Sequence, residues 1–415
     1  MKAARATLVG AALLAAACVE RLSAPGQCPA FCPSGQITVV DTLLAANISR
    51  DSAFRGYVDA PGDSVMLAAD LGFVDSRPIF RFRGVGPRLV VRTNDTTTGA
   101  VLGADSARLK LFVTRRETAA HNLTLRLYRL PRTIDTTTSF ASLAGPFADS
   151  LVRTVNLDTL LARPGKKDSV TGDSAVVDTV NHRVVVWLKL DTAAVRYVAA
   201  DTGQVAYGLR VSADSLASIA LGKGAIGPEL QWYLKVDSLG TPVKRAPTVT
   251  AGLASFVFDP PPPALDSTLA VGGVPAARSI LRVSLPRVIR DSAHIIRATL
   301  VLVPAVAARG APADSFQVEA HTVLADFGAK SPLAVDLKRA DTARIRIGAT
   351  GTVAIEVTNL LQAWAADTTR PTTIVLRAQP EGGSFGEIRF YPSRAPAYRP
   401  ALRVTFLPRF PFGAP

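Results

Sequence analysis

The stretch GTVAIEVTNLLQAWAADTTRPTTIVLRAQPEGGSFGEIRFYPSRAPAYRPALRVTFL, residues 351–407, decides the fold class. Val353, Ile355 and Val357 alternate with Ala354 and Glu356, the two-residue period of a half-buried strand. At Thr358 the rhythm changes. Leu360, Leu361 and Trp364 recur at helical spacing behind a threonine able to cap free backbone N–H groups, and Pro371 keeps the helix short. The two-residue period returns in Ile374, Leu376 and Ala378, continues in Ile388 and Phe390, and closes in Leu402, Val404 and Phe406. One short helix within a succession of strands makes a β-rich unit.

Working outward, the same rhythm fills the chain upstream. Strands are predicted from Ile37 onward, at 64–70, 78–85, 89–93, 107–114 and 123–130, then at 182–191, 205–212, 230–237 and 255–258. Leu109, Leu111 and Val113 face one way while Arg108 and Lys110 face the other. Residues 131–180, rich in Thr, Asp and Ser, are expected to form long loops with one strand near 152–157. Asp259 is followed by four prolines, which cannot donate to a sheet ladder and favour a stiff spacer. Beyond that run the pattern starts again. Ile79–Phe82 matches Ile280–Val283, Asp105–Ala107 matches Asp291–Ala293, and Leu188–Asp201 matches Ile355–Asp367. Tyr207–Arg210 answers Ile374–Arg377, and Pro228–Leu230 answers Pro400–Leu402. The expectation is an all-β protein of two tandem jelly-roll-like β-sandwiches with one short helix per copy. Its predicted segments are a signal segment at 1–18, a tether at 19–36, a first sandwich with a long insertion at 37–258, a proline linker at 259–263, a second sandwich at 264–408 and a tail at 409–415.

Residues 264–407, and more weakly residues 51–258 with their long insertion, resemble the bacterial extracellular β-sandwich modules called DNRLRE domains, which are grouped with carbohydrate-binding modules of an alginate-binding type. The strand at 353–357 with its Val-Thr step, the tryptophan on the short helix, Phe390–Arg394 and Arg399–Val404 carry the likeness, although the naming motif itself does not occur. The resemblance implies an extracellular, carbohydrate-binding sandwich.

At the N-terminus, Lys2 and Arg5 precede an uninterrupted small and apolar run from Ala6 to Ala17, which describes an export signal too short to span a bilayer comfortably. The ending Leu14-Ala15-Ala16-Ala17-Cys18 resembles a bacterial lipobox, with Ala15 where that motif prefers Leu. That resemblance implies lipidation of Cys18, a membrane reached through the lipid anchor and, with Val19 next, an outer-membrane or cell-surface location. The alternative is an ordinary export signal with an incidental cysteine. Cys28 and Cys32 then remain as an even pair, expected to form a small disulfide loop in an oxidising compartment rather than to stand as free thiols.

Across 415 residues, 47 Lys and Arg against 33 Asp and Glu give a net charge of +14. Such an excess favours polyanionic partners. Export disfavours nucleic acid among them. No nucleophile elbow, phosphate loop, zinc-binding H-E-x-x-H or calcium-loop spacing occurs, and the four histidines are scattered, so no enzyme, metal or cofactor is expected. His321 with Glu319, and Glu356 between Ile355 and Val357, are expected on solvated strand faces. The binding candidates are the cations opposite the core-facing rows: Arg282, Arg377, Arg389 and Arg403, with Tyr391 and Tyr398 as exposed aromatics and Arg81, Arg210 and Lys235 as a weaker set in the first copy. Guanidinium groups offer paired planar donors to carboxylate or sulfate. Trp187 and Trp364 could stack on sugars, Trp364 being the one expected in the core. Two roles follow: non-catalytic binding of an acidic polysaccharide, or a structural, accessory surface lipoprotein that contacts other proteins.

Overall fold

Alternating side chains produce strands almost without interruption from Val40 to Pro408 in a computed structural model. The structure describes residues 39–408 except 46, 61, 92–95, 196, 199–202, 313 and 329–333, and for residue 339 the backbone only. Cys18, Cys28 and Cys32 lie outside the described residues. Among those described, residues from Asp41 onward form one compact unit, and the preceding unit, Met1–Val40, contributes only residues 39 and 40.

The protein is all-β. Three sheets carry it, and every pairing with a resolved register is antiparallel. A 13-stranded sheet contains all the strands between Val65 and Asp259. An 8-stranded sheet runs in the order Pro304–Arg309, Glu387–Phe390, Leu269–Gly272, Ala277–Val283, Thr373–Gln379, Ser315–Ala325, Ala334–Arg346, with Ile48–Arg55 alongside Ala277–Val283. The 4-stranded sheet runs Val40–Leu44, Ala401–Pro408, Ala293–Leu302, Val353–Glu356. One core cluster joins inward rows of the large sheet, including Phe80, Tyr207, Leu109, Leu188 and Trp232, all fully buried, in a sandwich-like packing. Each such side chain contributes roughly 1.5–3 kcal/mol relative to exposure. Burial pushes the Tyr207 hydroxyl up to about 12, while Arg129 opposes the shift.

Pairing registers explain most of the internal sequence matches. Tyr207 pairs with Phe80 and Gly208 with Ile79; Ile374 pairs with Leu281 and Val375 with Ile280. Leu109 lies between Leu188 and Leu230, and Leu300 lies between Ile355 and Leu402. Buried Ser76 donates to the carbonyl of Leu67 at 2.7 Å, as buried Ser279 donates to that of Ala270 at 2.8 Å, nine residues back in each case. Four matched segments therefore occupy equivalent places in their ladders. The fifth does not: Asp105–Ala107 lies mid-strand in Thr98–Arg116, with Ala107 opposite Trp232, whereas Ala293 opens its strand opposite Pro408.

The first strands pair across the molecule. Sequence order places residues 37–63 with the first block, but Ile48–Arg55 pairs with Ala277–Val283, and Val40–Leu44 lies beside Ala401–Pro408. Ser52 stands opposite Ile280 as Ser255 stands opposite Ile79. The N-terminal strand thus fills, beside 277–283, the place that Thr248–Asp259 fills beside Asp75–Phe82. Without it the strand 277–283 would lose its pairing on that side.

Helices differ from the expected one per copy. The described residues hold five short α-helices, Ala144–Asp149, Leu157–Leu161, Thr192–Val195, Arg287–Arg290 and Thr358–Ala366. Two of them, with the strands Leu151–Asn156 and Ser174–Asp178, occupy much of the expected loop region. Phe147, Leu157, Leu160 and Ala175 are buried there, and the Asn156 side chain caps the Thr159 N–H at 2.9 Å. Sparse apolar residues among Ser, Thr and Asp were enough. In Thr358–Ala366, Leu360, Leu361 and Trp364 are buried as the periodicity predicts. Thr358 does not cap its own helix, however; its hydroxyl accepts from the Ala298 N–H of the neighbouring strand at 2.8 Å.

Candidate functional site

Strand alternation builds one outward surface of mixed aromatic and cationic character on the 13-stranded sheet. Buried Ala107, Leu109 and Leu111 on Thr98–Arg116 turn Arg108, Lys110 and Phe112 to the opposite face. On the adjacent strand Arg183–Leu190, buried Val186 and Leu188 do the same for Val185, Trp187 and Lys189. The register sets Trp187 beside Lys110, Val185 beside Phe112 and Lys189 beside Arg108.

These side chains interleave. The Trp187 ring lies 5.1 Å from the Arg108 guanidinium and 5.1 Å from the Lys110 ammonium. Lys110 is also 4.5 Å from the Phe112 ring, which meets the Arg183 guanidinium at 4.8 Å. The order along the surface is Arg108, Trp187, Lys110, Phe112, Arg183. A cation over a ring face gains roughly 0.5–1 kcal/mol at an exposed site and keeps its charge. Lys110 is countered by Glu229 at 3.1 Å and Arg183 by Asp178 at 2.9 Å. Among the described residues, neither Arg108 nor exposed Lys189 has a carboxylate partner, so this face keeps a net positive charge.

The arginines singled out by sequence sit elsewhere and are not brought together. Arg282 donates to both carboxylate oxygens of Asp326, at 2.7 and 2.8 Å, and to the carbonyl of Gly328. Arg377 donates to Glu319 at 2.8 Å on the same outer face of the 8-stranded sheet. Arg278–Glu381 and Arg370–Asp336 complete a row of ion pairs there. Arg389 is buried and spends its donors on Glu387 and the carbonyls of Pro263 and Ala264. Arg403 belongs to the 4-stranded sheet and pairs with Asp41 at 2.6 Å. Tyr391 stacks on Tyr398, ring centroids 4.8 Å apart. In place of one shared cationic face, the structure has guanidiniums neutralised one by one, because acids remote in sequence arrive on neighbouring strands. The weaker set is also engaged: Arg81 on the Arg132 carbonyl, Arg210 on Asp75 and Lys235 on Asp105.

Two positions expected on solvated strand faces divide. Glu356 pairs with Arg297 at 3.0 Å in the open. His321, expected on a solvated face, is instead buried between Glu319, 3.0 Å from its Nε2, and the Asp336 carbonyl, 3.2 Å from its Nδ1. Trp364 is buried as expected. No group of three or more His, Cys, Asp or Glu able to hold a metal ion comes together among the described residues, nor is any helix there long and apolar enough to cross a membrane.

No protein-family model matches the chain, and no curated protein matches it either. Sequence alternation does mark Arg108 and Lys110 as facing away from the core. It could not show that Trp187 would settle between them, since that depends on the register of two strands some 70 residues apart in the chain.

Proposed function

We propose that this chain is a non-catalytic, exported and lipid-anchored surface protein that binds acidic polysaccharide through the aromatic and cationic face around Trp187. The observation that carries the reading is Trp187 held between Arg108 and Lys110, with Arg108 lacking a carboxylate partner among the described residues. A flat ring takes the apolar face of a sugar, and flanking cations take carboxylate or sulfate groups. The cations Arg108, Lys110 and Arg183 follow one another along the sheet, the last two over the buried Phe112 ring, so the face suits an extended chain better than a single small ion. The net charge of +14 and the resemblance to DNRLRE-type modules support the same reading, as does the N-terminal export pattern for localisation at the outer membrane or cell surface. The equivalent registers support two tandem jelly-roll-like sandwiches related by duplication, the second completed by residues 40–55. A second reading, an accessory protein making protein–protein contacts, is favoured by the self-neutralised arginines of the second block.

Gel retardation on alginate and on a neutral glucan tests the reading. Alginate should retard the protein in a manner that weakens with salt, and the neutral glucan should not. Trp187→Ala and Arg108→Gln should each weaken retardation about tenfold, the scale of one anchor in an interface. Unchanged retardation in both variants, or none in the parent, sinks this site and leaves the accessory reading.

A further inference from the structure

A cleft of about 240 Å3 opens where the chain leaves its first block of strands, independent of the face around Trp187. Phe73, Phe258 and Phe385 and the prolines 260–263 line it. Phe385 meets Phe258 edge-on at 5.8 Å, so two of the three rings brace one another. The charged wall consists of Arg309 and Glu387.

Glu387 is 3% exposed and receives three guanidiniums, Arg55 at 2.6 Å, Arg389 at 2.7 Å and Arg309 at 3.4 Å. One carboxylate against three cations leaves positive charge at the end of an apolar cleft. Gly273 makes room for this cluster, because a Cβ there would stand 2.6 Å from the Glu387 Oε2. Arg389 donates from all three of its nitrogens, to Glu387 and two carbonyls, and Arg55 reaches the Pro275 carbonyl while its buried Nε has no partner among the described residues. Arg309 differs. Its long contact to Glu387 is its one hydrogen bond among the described residues, its guanidinium carbon lies 5.3 Å from the centre of the Phe73 ring, and its side chain is 35% exposed. The remaining N–H donors of that guanidinium have no acceptor among the described residues.

We propose that this cleft binds a small aromatic carboxylate, with its ring against Phe258, Phe385 and the proline wall and its carboxylate on Arg309. The volume exceeds the roughly 150 Å3 that holds a benzene molecule, leaving space for a short side chain. Charge complementarity selects an anion, for which a guanidinium offers two parallel donors. Apart from the Arg309–Glu387 wall the lining is Phe, Val, Pro and Gly, with no hydroxyl or amide side chain to satisfy a sugar, and this sets the cleft's ligand apart from a uronic acid.

Isothermal titration of the full chain with 3-phenylpropionate, 3-phenylpropionamide and glucuronate tests the assignment. The acid should bind saturably at one site, with the amide and glucuronate each weaker by about tenfold or more. Arg309→Gln should lower affinity for the acid to that for the amide without moving the thermal midpoint, while Arg309→Lys should retain part of the preference. Trp187→Ala should change nothing here, which separates this site from the polysaccharide face. Equal binding of acid and amide, equal binding of glucuronate, no saturable heat, or an Arg309→Gln variant indistinguishable from the parent would each overturn the proposal.

Discussion

Arg282 and Asp326 meet through two short parallel hydrogen bonds, and the Thr373 hydroxyl and Gly328 N–H also donate to the carboxylate. The Arg282 guanidinium, against a smaller opposing effect of burial, holds Asp326 below the ordinary carboxylate range. A carboxyl whose folded value lies below its unfolded value contributes stability that is present above the unfolded value and lost as pH falls through the folded one. Asp326→Asn should therefore cost about 1–3 kcal/mol at pH 7, the range for breaking a partly buried charged pair. The gap to the parent should close as urea titrations are taken from pH 4 downward; a gap constant across that range would show that the pair's charge is immaterial. The pair also shows where reading alternation stops. Alternation correctly turns Arg282 away from buried Leu281 and Val283, yet nothing local announces Asp326, 44 residues away. Which charges remain free is decided by cross-strand neighbours. For that reason Arg108 is, among the described residues, a cation without an acid and Arg282 is not.

Ile48–Arg55 is the element whose placement no local pattern could supply. Its alternation is weak, and what holds it is backbone pairing along seven residues of Ala277–Val283, with Asn47 and Ser284 exchanging hydrogen bonds at 2.7 and 2.8 Å and Arg55 reaching Glu387. The Asp51 carboxylate also receives the Ser393 N–H. Strands with strong two-residue periods, such as Thr124–Leu130 and Val205–Ser212, were legible to within a residue because one face is fully buried. A chain beginning at residue 57 should expose the edge of 277–283, and exposed edges recruit other strands. Size-exclusion chromatography should show concentration-dependent self-association of this truncation, and a synthetic peptide of residues 39–57 should return it to monomer. A truncated chain that elutes and melts like the parent would refute the strand's completing role.

At the scale of the whole molecule, pairing and packing draw different boundaries. All thirteen strands of the large sheet lie between Val65 and Asp259 and, among the described residues, pair only with one another, so its ladder is closed within the segment that separates residues 40–55 from their partners at 277–283 and 401–408. The core is less separate. Phe385, Val274 and Ala311 join the cluster of the first block, Phe256 meets Phe385 at 6.3 Å, and Arg115 donates to the Gly383 carbonyl. Closed pairing predicts that residues 62–260, expressed alone, fold with a single cooperative urea transition. Shared packing predicts that this fragment is less stable than the same block within the full chain, by roughly 3–5 kcal/mol if the loss resembles removal of one core phenylalanine. Residues 264–408 alone should stay unfolded or aggregate, because their sheets lack the strands at 40–44 and 48–55. Joining residues 39–57 to residue 264 through a Gly-Ser linker should restore cooperative unfolding, since Gly56 already donates to the Ala276 carbonyl and Ala276 to that of Val58. Circular dichroism of the two fragments and the joined chain under urea decides the matter: a folded 264–408 fragment, or a disordered 62–260 fragment, would mean that the ladder boundaries do not mark the folding units.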